Sequence, residues 1–346
     1  TTAGYNTAVG GSALGHTTSG SGNVAVGYTS MQYNTTGESN TALGEGTLKD
    51  NTTGAHNTAL GRYALTNNTT ADYNTAVGKS ALFTNTTGTE NVAVGSNVLD
   101  VNTTANCNTG IGSNVLTDNT TGAHNTSVGR RALFDNTTAS NNTAVGSGAL
   151  ETNTTGTENT AVGGEALDSN TTGVQHVAVG YGALGANTTS SYNTAIGWKA
   201  MNACTTGERN VAVGRTALEE GTTYDYCTAV GYNALKANTT ANDNTAVGYY
   251  ALSANTTGIQ NTAVGKDSLK ANTTATENTA VGYAALTANT TGARNTAVGD
   301  QSLTANTTAS DNTAFGRDSM QFNTTGANNT AVGRGALAAN TTASDN

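Results

Sequence analysis

Hydrophobic and polar positions recur along this chain with a strict period of 17 residues. The string Asn6-Thr7-Ala8-Val9-Gly10 returns as Asn40-Thr41-Ala42-Leu43-Gly44 and, at the far end, as Asn329-Thr330-Ala331-Val332-Gly333. From Asn6 to Asn346 there are twenty repeats without an insertion or deletion. Counting the leading Asn as position 0, the unit reads Asn-Thr-Ala-Val-Gly-x-x-Ala-Leu-x-x-Asn-Thr-Thr-Gly/Ala-x-x. Position 3 is Val, Leu, Ile or Phe in every copy, position 4 is always Gly, and position 8 is always Leu or Met. Position 1 is Thr except at Val24, Val92, Val177 and Val211, and position 2 is Ala except at Gly110 and Ser127.

Alternation over positions 1 to 3, rich in β-branched residues and closed by an unvarying Gly, predicts a short strand ending in a bend. Thr and Val share a shape, so positions 1 and 3 are expected to point to the interior. Position 8 supplies a second inward residue, and positions 11 to 13 a third extended stretch. No 3.6-residue period appears, and Gly, Asn and Thr are poor helix formers. Seventeen residues at about 3.3 Å each give a perimeter of roughly 56 Å, enough for one turn of a small two- or three-sided coil. The predicted fold is therefore all-β, a parallel β-solenoid with one 17-residue repeat per coil. Twenty coils at about 4.8 Å make a rod roughly 96 Å long. Strict spacing implies in-register stacking through residues 1–346 as one array, with no internal domain boundary or linker. A 34-residue coil, suggested by Gly alternating with Ala at position 14, is the second choice.

Composition agrees with a thin repetitive structure. Proline is absent, as expected where nearly every backbone N–H is needed between coils. Leu, Ile, Val and Phe total 49 of 346 residues, too few to fill an ordinary globular core. The net charge of -9, with only 11% charged residues, is far from a self-repelling polyelectrolyte. It also offers no electrostatic footprint for nucleic acid. No apolar run approaches a membrane span. The chain opens without an initiator Met and runs from repeat position 12 to position 0, so it reads as part of a longer array.

Asn occupies position 0 in eighteen copies and position 11 in seventeen, which in a stack forms hydrogen-bonded Asn ladders. The rival reading is N-glycosylation, because Asn34-Thr35-Thr36 and sixteen similar triplets fit the acceptor pattern. The ladder is favoured, since position 0 is equally repetitive and Asn-Thr-Ala is not an acceptor. Thr-Thr at positions 12 and 13 invites an ice-binding reading, but neighbouring strand residues point to opposite faces. His16, His56, His124 and His176 are dispersed, and Cys107, Cys204 and Cys227 fit no disulfide framework or zinc motif. No cofactor and no catalytic residue is predicted. A carbohydrate-active solenoid would need an acidic pair that departs from the repeat, and none is found.

The edges carry the remaining chemistry. Positions 5 and 6 hold nine of the fourteen Lys and Arg residues, Arg130, Arg131 and Arg215 among them. They also hold Tyr181, Trp198, Tyr232, Tyr249, Tyr250 and Tyr283. This edge is read as a contact between chains or a surface for glycan. Positions 9 and 10 carry Asp100, Asp118, Asp135, Glu151 and Asp168 in five consecutive coils. Like charges at about 4.8 Å repel, so either an opposing basic edge or a divalent cation, structural calcium for example, is expected beside them. Position 2 stays Ala, Gly or Ser in all twenty coils, as though another backbone approached it, so Ala144, Ala161 and Ala178 are expected to pack between chains.

The Asn-Thr-Ala-Val-Gly-x-x-Ala-Leu unit resembles the repeats of phage and phage-derived tail-fibre proteins over the whole chain. It is also similar to the Asn-Ser-Val-Ala-Ile-Gly repeats in the heads of trimeric autotransporter adhesins, whose period is shorter than 17. The resemblance implies a left-handed parallel β-roll, homotrimeric association, and attachment to a receptor or cell-surface glycan outside the cell, at a cell surface or on a virion. The expected function is a structural, non-enzymatic fibre segment. The alternative is an extracellular fibril whose subunits polymerise through solenoid ends.

Overall fold

The computed structural model describes residues 3–346 and is all-β, with no helix among the described residues. Each 17-residue repeat contributes one three-residue strand at positions 1 to 3. The chain forms two compact units, the first ending at Gln175 and the second beginning at His176. In the first, ten strands run from Thr7–Val9 to Thr160–Val162, each parallel to the strand one repeat on, so that Thr58, Ala59 and Leu60 face Thr75, Ala76 and Val77. In the second, ten strands run from Val177–Val179 to Thr330–Val332 in the same register, with Thr245 opposite Thr262. An offset of 17 residues makes one repeat one coil, which excludes the 34-residue coil. The Gly and Ala alternation at position 14 has no structural explanation: a Cβ on Gly54 would lie 2.5 Å from the carbonyl oxygen of Ala71, and one on Gly37 at least as close to that of Gly54.

The strand faces opposite to the expectation from sequence. From Ala25 to Ala314 the alanines at position 2 are fully buried inside the coil, while Thr and Val at positions 1 and 3 are half-buried or exposed on the outside. Ala144, Ala161 and Ala178 therefore belong to the solenoid interior and not to a surface between chains. The reason is the narrowness of the coil. Positions 7 and 8 fill the space across from the strand, and only a methyl group fits between. Where position 7 grows from Ala to Val, at Val98 and Val115, position 2 shrinks to Gly110, on which a Cβ would come within 2.6 Å of Val98 Cγ1. In the next coil Ser127 turns its hydroxyl inward and donates to the carbonyl oxygen of Ala132 at 3.0 Å.

Position 8 is interior, as expected, but reaches there by an unexpected backbone. All twenty Leu or Met residues at this position have φ between 47° and 53°, the left-handed region. Such a conformation costs a side-chain-bearing residue about 1–2 kcal/mol. Complete burial of the leucine is worth about 1.5–3 kcal/mol and offsets it. The backbone is also bonded there, because Leu65 N–H donates to the Ala81 carbonyl of the next coil at 3.0 Å. Positions 11 to 13, expected as extended chain, form bends. Their bonds still run between coils: Thr52 donates both its N–H, at 2.8 Å, and its hydroxyl, at 2.9 Å, to the Thr69 carbonyl oxygen.

Two Asn ladders run through the interior. At position 0, Asn40 N–H donates to Asn23 Oδ1 at 2.9 Å, and Asn40 Nδ2 donates to the Gly54 carbonyl oxygen at 2.8 Å. At position 11, Asn51 Nδ2 donates to Asn34 Oδ1 at 2.7 Å and to the same Gly54 oxygen at 2.9 Å. One carbonyl at position 14 thus ties both ladders, and the amides cover polar backbone that a purely apolar core would leave unsatisfied. Asn34, Asn51 and Asn68 are wholly buried, so a glycan cannot attach to the folded Asn-Thr-Thr triplets.

Candidate functional site

The acidic edge lies in the first unit. Among the described residues no group of three or more His, Cys, Asp or Glu converges in a way that could hold a metal ion. A cation of the same chain stands beside one of the five carboxylates. Arg131 Nε donates to Glu151 Oε1 at 2.8 Å, its Nη2 lies 2.7 Å from the same oxygen, and its guanidinium sits 4.2 Å from the Phe134 ring centroid. Burial raises the Asp100 and Asp168 carboxyls above the ordinary range, assisted by Asp118 and Glu165 respectively. Asp135 is raised by burial and then by Asp118. These carboxylates are partly turned into the coil.

The aromatic and basic edge is sharper. Arg130 and Arg131 belong to the first unit, and the remaining candidates to the second. There, position 5 runs Tyr181, Trp198, Arg215, Tyr232, Tyr249, Lys266, Tyr283 through seven consecutive coils, one side chain per coil. Parallel stacking places these on one line at about 4.8 Å intervals. The Arg215 guanidinium sits between two rings, 4.8 Å from Trp198 and 5.9 Å from Tyr232. Tyr232 and Tyr249 stack at 5.4 Å with an interplanar angle of 16°. Lys266 repeats the sandwich between Tyr249 and Tyr283 at 5.8 and 5.7 Å. Position 6 adds Lys199 at 5.0 Å from Trp198, and Tyr250, whose ring meets Tyr249 edge-on at 4.6 Å.

Within this column, the rings of Trp198, Tyr232, Tyr249 and Tyr283 each meet a ring or cation of a neighbouring coil, while Tyr181, Trp198, Tyr249 and Tyr283 remain partly exposed. Sequence placed these residues on one line but could not show that they would stack on one another.

A second set of departures lies inside the second unit. Gly221 replaces Asn at position 11, and the Tyr224 ring occupies the vacated space, its hydroxyl donating to the Leu218 carbonyl oxygen at 2.9 Å. The pairing of a lost side chain with a gained ring three residues on was the signal in the sequence. Cys204 and Cys227 are free and buried beside it, and burial pushes their thiols up to about 11 and about 12. They stay protonated and inert as nucleophiles at neutral pH. His176, in the position-0 ladder, accepts the Asn193 N–H on Nδ1 at 3.2 Å, a role that requires this nitrogen unprotonated, and its Nε2 lies 2.6 Å from the Ser190 carbonyl oxygen and 3.1 Å from Asn187 Nδ2.

Burial lowers the His176 pKa from 6.5. The unfolded chain then takes up a proton near pH 6.5 that the folded chain refuses until lower pH. Stability from this site is complete above 6.5 and declines as the pH falls below it. Amide exchange at Asn193 should accelerate between pH 7.5 and 5.5, after correction for intrinsic rates, and His176→Asn should abolish the difference. An equal change in both proteins would remove His176 as the cause.

The chain matches no protein-family model and no curated protein.

Proposed function

We propose that this chain is a structural, non-enzymatic segment of an extracellular fibre, a shaft or head that mediates attachment and associates with copies of itself. The observation that supports it most is the uniformity of the stack. Every coil repeats the same strand pairing and, with few exceptions, the same two buried Asn ladders, an arrangement that yields length and stiffness from a sequence poor in large apolar residues. Its surface consists of columns rather than a cleft that gathers reactive groups. The inverted strand moves the expected self-contact outward. Positions 1 and 3 present Thr, Val, Leu, Ile and Phe with no charged residue in any of the twenty coils, and Leu43, Leu60, Ile196 and Phe315 are exposed. An uncharged stripe of this kind, present in each unit, fits a surface covered by another chain.

Sedimentation and negative-stain microscopy test this reading. Expected are assemblies of more than one chain, as elongated particles longer than the roughly 48 Å that ten coils at about 4.8 Å span. Val145→Lys with Val162→Lys, on the outer face of the first unit, should dissociate them and leave β-type circular dichroism intact. Compact monomers in both proteins would overturn the proposal.

A further inference from the structure

The seven-coil column of the second unit carries an inference that rests on the attachment reading and gives it a ligand class. Six of the chain's eighteen aromatic residues fall on the fourteen edge positions 5 and 6 of these coils, a concentration that neither the solenoid interior nor its ladders require. The cations beside them are free to meet a ligand. Acidic residues outnumber basic ones 23 to 14 in this chain, yet among the described residues Lys199, Arg215 and Lys266 make no ion pair. The single carboxylate on the same edge, Asp267, is held by Lys270 at 3.0 Å. Charge is distributed to match. Residues 1–175 hold five Lys and Arg against twelve Asp and Glu, whereas residues 176–346 hold nine against eleven.

We infer that this edge binds a linear anionic polysaccharide, carboxylated or sulfated, laid along the solenoid axis from Tyr181 to Tyr283. Three features select that class. The hydroxyls of the exposed Tyr181, Tyr249 and Tyr283 can donate to anionic and hydroxyl acceptors, and the cations without ion pairs supply the counter-charge. The column repeats at about 4.8 Å over seven coils, so it offers equivalent contacts to a polymer and few to a small ligand. Neighbouring rings and cations cover ring faces of Trp198, Tyr232, Tyr249 and Tyr283, which reduces the stacking platform that a single-stranded nucleic acid uses. A second copy's acidic edge is the poorer partner, because Glu151 already pairs with Arg131 and burial raises the pKa of Asp100, Asp135 and Asp168.

Trp198 is the only tryptophan in the chain and lies in this column, so its fluorescence reports binding at the site itself. Titration of the full chain with heparin or alginate should give a saturable change that weakens with salt, and neutral dextran should give none. A Lys199→Gln, Arg215→Gln, Lys266→Gln variant should bind at least tenfold more weakly with unchanged circular dichroism. Arg294→Gln, a charge removed elsewhere on the second unit, should bind as the parent does. Absence of any response to both acidic polymers, or equal affinity of parent and triple variant, would overturn the inference. Tighter binding of a single-stranded polynucleotide than of either polysaccharide would overturn it too and assign the edge to nucleic acid. None of these outcomes touches the microscopy that tests the fibre reading.

Discussion

Ala161→Glu should unfold coils of the first unit rather than separate chains. The Ala161 side chain is fully buried, one of the methyl groups facing positions 7 and 8 across a narrow coil. A glutamate there must either bury a carboxylate without a partner, which costs several kcal/mol, or force the strand out of the ladder it shares with Thr143–Val145. In a stack where each coil is supported by its neighbours, disruption of one coil weakens those beside it. A loss of about 4 kcal/mol or more corresponds to a melting temperature lower by roughly 8–16 °C for a cooperative unit of this size. Val162→Glu, one residue on and half-exposed on the outer face, serves as the comparison and should change the melting temperature by only a few degrees. Thermal melts followed by circular dichroism, with limited proteolysis to locate the opened coils, measure both. Unchanged melting of Ala161→Glu accompanied by slower sedimentation would return position 2 to a surface between chains.

That contrast marks where reading the sequence succeeds and where it stops. The coil length was legible because twenty repeats without an insertion allow only stacking in register. The Asn ladders were legible because position 0 repeats as strictly as position 11 while lacking the glycosylation pattern. Orientation of the strand was not, since the shape shared by Thr and Val suggested an interior that the structure assigns to Ala. The correcting signal was present in one place. Val98 and Val115 replace Ala at position 7 in the coil before Gly110 and in Gly110's own coil, and such compensation requires positions 2 and 7 to touch. The left-handed backbone at position 8 left no trace, because Leu is not a residue whose presence announces positive φ, and its burial hides the conformational cost. On the aromatic edge, spacing placed Trp198, Arg215 and Tyr232 on one line, but which side of each ring faces solvent depends on side-chain torsions that no periodicity encodes.

Glycine at position 4 is the point where the backbone leaves least choice, and Gly61→Ala should be strongly destabilising for a change of one methyl group. Its φ is 117°, and across all twenty copies the value stays between 117° and 144°, beyond the left-handed region that Leu65 at 50° or Ser80 at 55° occupies. Residues with a Cβ rarely adopt such a φ, and holding one there costs about 1–3 kcal/mol. Space is lacking as well. A Cβ on Gly61 would lie 2.8 Å from both the carbonyl carbon and oxygen of Gly78 in the next coil, and backbone on a hydrogen-bonded ladder cannot move aside as a side chain could. Overpacking of that kind adds about 1–3 kcal/mol. The two together predict a destabilisation of about 2–6 kcal/mol from one methyl group. Ser80→Gly, at a left-handed position that glycine enters freely, should be close to neutral by comparison. Melting temperatures of the two variants decide the matter. Comparable effects would mean that the bend after the strand tolerates any small residue, and that twenty glycines in succession reflect repeat duplication rather than a backbone requirement.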